Sequence, residues 1–164
     1  MCSSDLMNPM PRALSARAPC TLLAIALSSP AWAGDVLISV RDRGLAINAW
    51  GGARPNAEIR LHNGCRSDNA DCKWTFRGGL LLSDRDTNLA IAPVGGIQRG
   101  AELRLVQGCR VDRPECTWSY RSGMFVNNAN PSLAINAWGG ARYGTLLRLH
   151  DACRPDNPDC TWTR

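Results

Sequence analysis

Apolar residues in this chain fall in short alternating runs, each closed by Gly, Asn, Asp or Pro. Leu80–Ser83, Leu89–Pro93, Glu102–Val106 and Thr117–Tyr120 show the pattern, and no stretch of useful length carries a helical period. Alternation punctuated by turn residues predicts β-strands. The same runs recur at a fixed step of 44 residues, which carries Leu45 to Leu89 to Leu133, Gly51-Gly52 to Gly95-Gly96 to Gly139-Gly140, and Leu61 to Leu105 to Leu149. From Leu45 to the end no insertion or deletion interrupts the step, so the repeat dominates everything else in the chain.

Four strands in each of three units, about 35–76, 77–120 and 121–164, predict twelve. A unit this small cannot bury its own apolar face, so three must share one core, and closing the sheet removes its edges. An all-β fold with pseudo-threefold symmetry, a β-trefoil, satisfies these demands. A three-bladed propeller falls below the usual blade number, and a β-sandwich gives no reason for threefold repetition. Because the first unit begins at Val36 and the last ends at Thr163, the two ends are expected in neighbouring strands.

The N-terminus stands outside the repeat. Basic Arg12 and Arg17, the apolar stretch Thr21–Leu27 and the small-residue ending Ala31-Trp32-Ala33 predict a secretory signal over residues 1–33, cleaved before Gly34 or Asp35. The stretch is shorter than the roughly 20 residues of a membrane span. Met1-Cys-Ser-Ser-Asp-Leu6 resembles a translated sequencing adapter more than a signal start, which places the natural start at Met7 or Met10. The expected mature domain, 34–164, is secreted or periplasmic. Without Arg12, Arg17 and Asp5, the 19 Lys+Arg and 14 Asp+Glu of the chain leave a net charge of about +4. No basic block accompanies it, so nucleic acid is not an expected partner.

Each unit also carries a cysteine pair and a tryptophan in the same frame: Cys65/Cys72 before Trp74, Cys109/Cys116 before Trp118, Cys153/Cys160 before Trp162. A polar-ended strand, a Gly turn, a strand of the form x-L-x, a cysteine loop and a terminal x-x-Trp together resemble the ricin B-chain type of β-trefoil lectin, whose repeats end in Gln-x-Trp. Here the endings are Cys-Lys-Trp74, Cys-Thr-Trp118 and Cys-Thr-Trp162, with cysteine where that family has glutamine. The simplest pairing joins each cysteine to the one seven positions earlier, because only a local pairing respects the repeat. Zinc is the other use of paired cysteines, but the spacing is not that of a zinc knuckle and an exported chain favours oxidation.

Internal comparison separates two kinds of position. The Leu-Ala-Ile run, the double glycine, Arg60/Arg104/Arg148, Asp68/Asp112/Asp156 and Cys-x-Trp occur in all three units, and a fold alone explains them. Asn48/Asn136, Trp50/Trp138, Arg54/Arg142, His62/His150, Asn69/Asn157 and Asp71/Asp159 occur in units one and three only. Unit two has Ala92, Val94, Gln98, Val106, Arg113 and Glu115 there, so the fold does not require the shared letters. Units one and three could be younger siblings of one duplication, yet Pro55/Tyr143 and Asn56/Gly144 have drifted beside the retained letters.

Strand alternation predicts that Asn48, Trp50, Arg60 and His62 face outward, with Asp71 approaching on the cysteine loop. Polar pairs suit adjacent hydroxyls, and an aromatic face suits the C–H side of a pyranose. The resemblance implies sugar sites at Asn48, Arg60, His62 and Asp71, and at Asn136, Arg148, His150 and Asp159. Asn stands where the family has an acid and His where it has its stacking ring, so Trp50 and Trp138 are expected to supply the stacking face. The other readings of these residues are a Trp cover for the barrel end and ordinary exposed histidines. No nucleophile elbow, zinc-protease helix or phosphate loop occurs, and no enzyme, cofactor or metal is expected. The expected partner is a glycan; the alternative, a protein-binding trefoil such as a protease inhibitor or toxin accessory subunit, would use one unique surface and not a duplicated patch.

Overall fold

The computed structural model describes residues 31–164. The first strand, β1, is Trp32–Val36. Unit one continues with β2 Ile38–Ser39, β3 Ala46–Ala49, β4 Ile59–His62 and β5 Lys73–Arg77. Unit two has β6 Leu80–Ser83, β7 Leu89–Val94, β8 Glu102–Gln107 and β9 Trp118–Arg121. Unit three has β10 Met124–Asn127, β11 Ala134–Ala137, β12 Leu147–His150 and β13 Trp162–Thr163. Strands β2 to β13 are the twelve of a β-trefoil, and β1 is a thirteenth laid antiparallel on β5.

The last strand meets the first unit as expected: β13 pairs with β2, Trp162 opposite Ser39 and Thr163 opposite Ile38. Around the threefold axis β4, β8 and β12 touch pairwise, through Glu58 opposite Arg104, Arg60 opposite Leu146, and Arg148 opposite Glu102. Every unit contributes the same letters to one core. Leu45, Leu89 and Leu133, Ile47, Ile91 and Ile135, Leu61, Leu105 and Leu149, and Trp74, Trp118 and Trp162 are all buried in a single cluster. The Trp74 and Trp118 indoles donate to the carbonyls of Ile47 and Ile91 at 3.0 and 2.9 Å, whereas the buried Trp162 Nε1 has no partner among the described residues.

The disulfides are the local ones, Cys65–Cys72, Cys109–Cys116 and Cys153–Cys160. The expected leader lies outside the described residues up to Pro30. Of its last residues, Trp32 is described: its ring lies 5.3 Å from Phe76 and 6.2 Å from Phe125, against the barrel end. No helix among the described residues is long and apolar enough to cross a membrane.

Candidate functional site

Strands β3 and β4 place Asn48 opposite Arg60 and Ile47 opposite Leu61; β11 and β12 do the same for Asn136 with Arg148 and Ile135 with Leu149. Alternation predicts an outward Asn48, but its side chain is buried, because the disulfide loop closes over the outer face of β3. Its Nδ2 donates to the Asp71 carbonyl and to Cys72 Sγ, both at 3.3 Å. Asn136 is buried likewise and repeats both contacts with Asp159 and Cys160 at 3.3 Å. The two amides hold the cysteine loops in place, and each also forms part of the floor of a surface depression.

That loop aims a carboxylate at the glycine turn. Asn69 caps the short 3₁₀ segment Ala70–Cys72, its Oδ1 accepting the Asp71 N–H at 3.1 Å. Asp71 Oδ1 then accepts the Ala53 N–H at 3.0 Å and lies 3.2 Å from Arg85 Nε. In unit three Asp159 Oδ1 accepts the Ala141 N–H at 3.1 Å, and Arg41 Nε stands 3.7 Å away. The turn it grips needs its glycines: Gly51 and Gly52 have φ of 71° and 95°, Gly139 and Gly140 of 78° and 101°, a left-handed pair that a side chain would strain.

Above the carboxylate stand the rings. Trp50 and His62 have centroids 5.8 Å apart, and Tyr143, reaching over from unit three, lies 5.5 and 5.3 Å from them. Trp138 and His150 are 5.5 Å apart, and Arg99 from unit two takes the place of Tyr143, 5.9 Å from the Trp138 ring. His62 Nδ1 accepts the Gly64 N–H at 2.7 Å, and His150 Nδ1 accepts that of Ala152 at 2.9 Å. An accepting Nδ1 puts the proton of the neutral ring on Nε2, so each histidine presents a donor.

Arg60 and Arg148 do not line either depression. Arg60 donates to Glu58 and to the Gly144 carbonyl, both at 2.7 Å, and its guanidinium backs the Trp50 ring at 5.6 Å. Arg148 backs Trp138 at the same distance and donates to Glu102 at 3.1 Å. These arginines orient the tryptophans and link the units. The hydrogen bond from Arg60, opposed in part by burial, holds the Glu58 carboxyl below the usual glutamate range.

The result is two depressions of about 520 Å³ each. Asn48, Trp50, His62, Asp71, Arg85 and Tyr143 line the first; Asn136, Trp138, His150, Asp159, Arg41 and Arg142 line the second. Each combines an aromatic face, a ring donor, a carboxylate acceptor and an arginine. Unit two builds none of this. Ala92 joins a small apolar cluster with Leu80, Leu82, Ala90 and Cys116, and Val94 and Val106 stand where the other units have Trp and His. Glu115 turns to Arg113 at 2.8 Å; its own backbone N–H and then that guanidinium hold its carboxyl below the usual range.

The lining residues Arg85, Arg41 and Tyr143, and Arg99 over the Trp138 ring, escape a comparison made unit by unit. Arg41 and Arg85 are one step apart, and Ala129 is the next. Arg85 serves the unit-one depression and Arg41 the unit-three depression, leaving Ala129 at the equivalent place near unit two. The one-and-three pattern is therefore in the sequence, displaced by one unit because the loop after each hairpin covers the preceding unit.

No family profile and no curated protein sequence matches the chain. Solved structures do match its fold. The C-terminal half of an earthworm R-type lectin, in complex with GalNAc, superposes with a TM-score of 0.64 at 11% identity over 77% of this chain and 93% of that one. A non-toxic homologue of type II RIPs from bitter gourd (Momordica charantia), in complex with α-methyl-D-galactoside, gives 0.63 at 20% identity over 83% of this chain and 48% of that one. ThreeFoil, a designed protein of threefold symmetry, gives 0.59 at 11% identity over 77% of this chain and 93% of that one. The chain is a β-trefoil of the architecture seen in R-type and ricin B-type lectins.

Proposed function

We propose that this protein is an exported carbohydrate-binding protein with two sugar sites, in units one and three, and a second unit that serves only as scaffold. The observation that carries the reading is the duplicated set Trp50, His62, Asp71 and Trp138, His150, Asp159, each gathered in one depression and each missing from unit two. A pyranose laid on the indole offers its C–H face to the ring and its hydroxyls to the histidine Nε2–H, the carboxylate and the arginine. The asparagine amide closes the floor. Sugar complexes of the earthworm lectin and the bitter-gourd protein support the reading, since their trefoils superpose on this one.

Two shallow sites on one rigid body favour multivalent surfaces, where the second contact forms at high effective concentration. A glycan array probed with the labelled protein is expected to show binding to dense glycans above sparse ones. Absence of binding to every neutral and acidic glycan overturns the proposal. Trp50→Ala combined with Trp138→Ala is expected to abolish the array signal while the far-UV circular dichroism is unchanged.

A further inference from the structure

The two depressions are not copies of each other at their rims. In unit one the rim residue supplied by the neighbouring unit is Tyr143, whose ring closes an aromatic corner with Trp50 and His62. In unit three the same place is held by Arg99, which is exposed and lies over Trp138. The glycine turns differ too. Arg54 folds its guanidinium back onto the Gly51 carbonyl, whereas Arg142 lines the unit-three depression and its side chain makes no hydrogen bond or ion pair among the described residues. The arginine at the carboxylate is also held differently: Arg85 sits 3.2 Å from Asp71, and Arg41 sits 3.7 Å from Asp159.

Charges of the opposite sign are fewer. Asp151 faces Arg99 at 3.3 Å and His150 Nδ1 at 3.5 Å, and Asp159 faces Arg41. Arg41, Arg99 and Arg142 against Asp151 and Asp159 leave one positive charge in excess around the unit-three depression, and Arg142, which lines it, has no ion-pair partner among the described residues. Around unit one Arg54 and Arg85 against Asp71 leave the same excess, but Arg54 is turned onto the Gly51 carbonyl and does not line the depression, and an uncharged phenol replaces Arg99, so the two sites differ in which cation is free to meet a ligand. A guanidinium that needs no partner broken can offer paired N–H donors to a planar or tetrahedral anion.

Building on the two-site reading above, we infer that the sites divide by charge: unit three takes a saccharide bearing a carboxylate or sulfate, and unit one takes a neutral saccharide packed against Trp50 and Tyr143. Arg142 and Arg99 are the residues that set the preference of unit three, and Tyr143 sets that of unit one. A glycan carrying both kinds of residue would then engage both sites of one molecule.

Calorimetric titration of single-site proteins tests this. Trp50→Ala leaves the unit-three site and Trp138→Ala the unit-one site; the probes are methyl galactoside, methyl glucuronide and galactose 6-sulfate. The Trp50→Ala protein is expected to bind a charged probe about tenfold more tightly than the neutral one, the worth of one charge-assisted contact. The better of the two charged probes identifies the anion. The Trp138→Ala protein is expected to lack the preference. Adding Arg99→Tyr and Arg142→Ala to the Trp50→Ala protein, or raising the salt, should erase it.

Equal ratios of charged to neutral affinity in the two single-site proteins overturn the division while leaving the lectin reading intact. No binding of any probe or array glycan to the unaltered protein overturns both. The indole N–H resonances of Trp50 and Trp138 in the unaltered protein give an independent readout. A charged probe should move the Trp138 signal at the lower concentration, and movement of both together speaks against the division.

Discussion

Where the first unit sets the Asn48 amide beneath its cysteine loop, the second sets the methyl of Ala92; where Asp71 reaches the turn at Ala53, Glu115 turns away to Arg113. The disulfide, the buried tryptophan and the paired strands are common to both. What separates a depression with chemistry from one without it is therefore a layer of hydrogen bonds between the loop and the turn, laid over the same core. The layer is affordable because the core does not depend on it: unit two closes the same space with an apolar cluster.

The largest way to break this comparison is to cut the loops. Replacing Cys65 and Cys72 by serine, or Cys109 and Cys116, opens loops of identical length, and the chain-entropy account gives about 2–3 kcal/mol for each. Denaturant unfolding should therefore report similar losses for the two double variants. Glycan binding should separate them, falling for the unit-one variant and holding for the unit-two variant. Equal loss of binding would show that the loops act through the whole barrel.

A finer cut removes only the polar layer. Asn48→Ala copies unit two and leaves the Asp71 carbonyl and the disulfide without their donor; Asp71→Ala orphans the Ala53 N–H. Each is expected to cost about 1–2 kcal/mol in unfolding free energy, the range for a part-buried group losing its partner. Binding at unit one should weaken about tenfold if the loop shifts, since a tenfold change corresponds to only 1.4 kcal/mol. Glu115→Ala in unit two should leave sugar binding unchanged.

Much of this is legible in the sequence alone. The step from Leu45 to Leu89 to Leu133 foretells the core, and the cysteine step foretells the disulfides, because a repeat with no gaps forces equivalent residues into equivalent places. Alternation gives the right face for Asn48 but not that this face is covered. It describes a strand with one free face, and β3 is covered on both, by the core and by the cysteine loop. Tyr143 and Arg85 were hidden for a different reason. They enter the unit-one site from other units, and a period in sequence does not say which unit borders which depression. Arg60 and Arg148 were invariant across the units, and invariance was the better guide to them: they brace tryptophans and neighbours.

The smallest test concerns the threefold axis, where the odd unit is the third. Glu58 lies 2.7 Å from Arg60 and 3.4 Å from Arg104; Glu102 lies 2.6 Å from Arg104 and 3.1 Å from Arg148. The next acid of the step is replaced by Leu146, and the buried Arg148 Nε has no partner among the described residues. Leu146→Glu should close the ring between Arg148 and Arg60, stabilising the fold by about 1 kcal/mol near neutral pH, the upper range for part-exposed ion pairs. Its pH dependence has a definite sign. A carboxylate whose folded pKa is lowered, as the Arg60 hydrogen bond lowers that of Glu58, contributes stability in full above the ordinary value of about 4.3 and loses it as pH falls through the folded value. The gain from Leu146→Glu should accordingly vanish on that acid limb, and Glu58→Gln should make the limb shallower. Leu146→Gln separates charge from shape: a gain equal to that of glutamate would mean that Arg148 wanted any acceptor, and a gain confined to glutamate would mean that the axis lacks a charge. Sugar binding by units one and three should follow neither variant, because the ring lies behind the tryptophans and the polar layer lies in front of them.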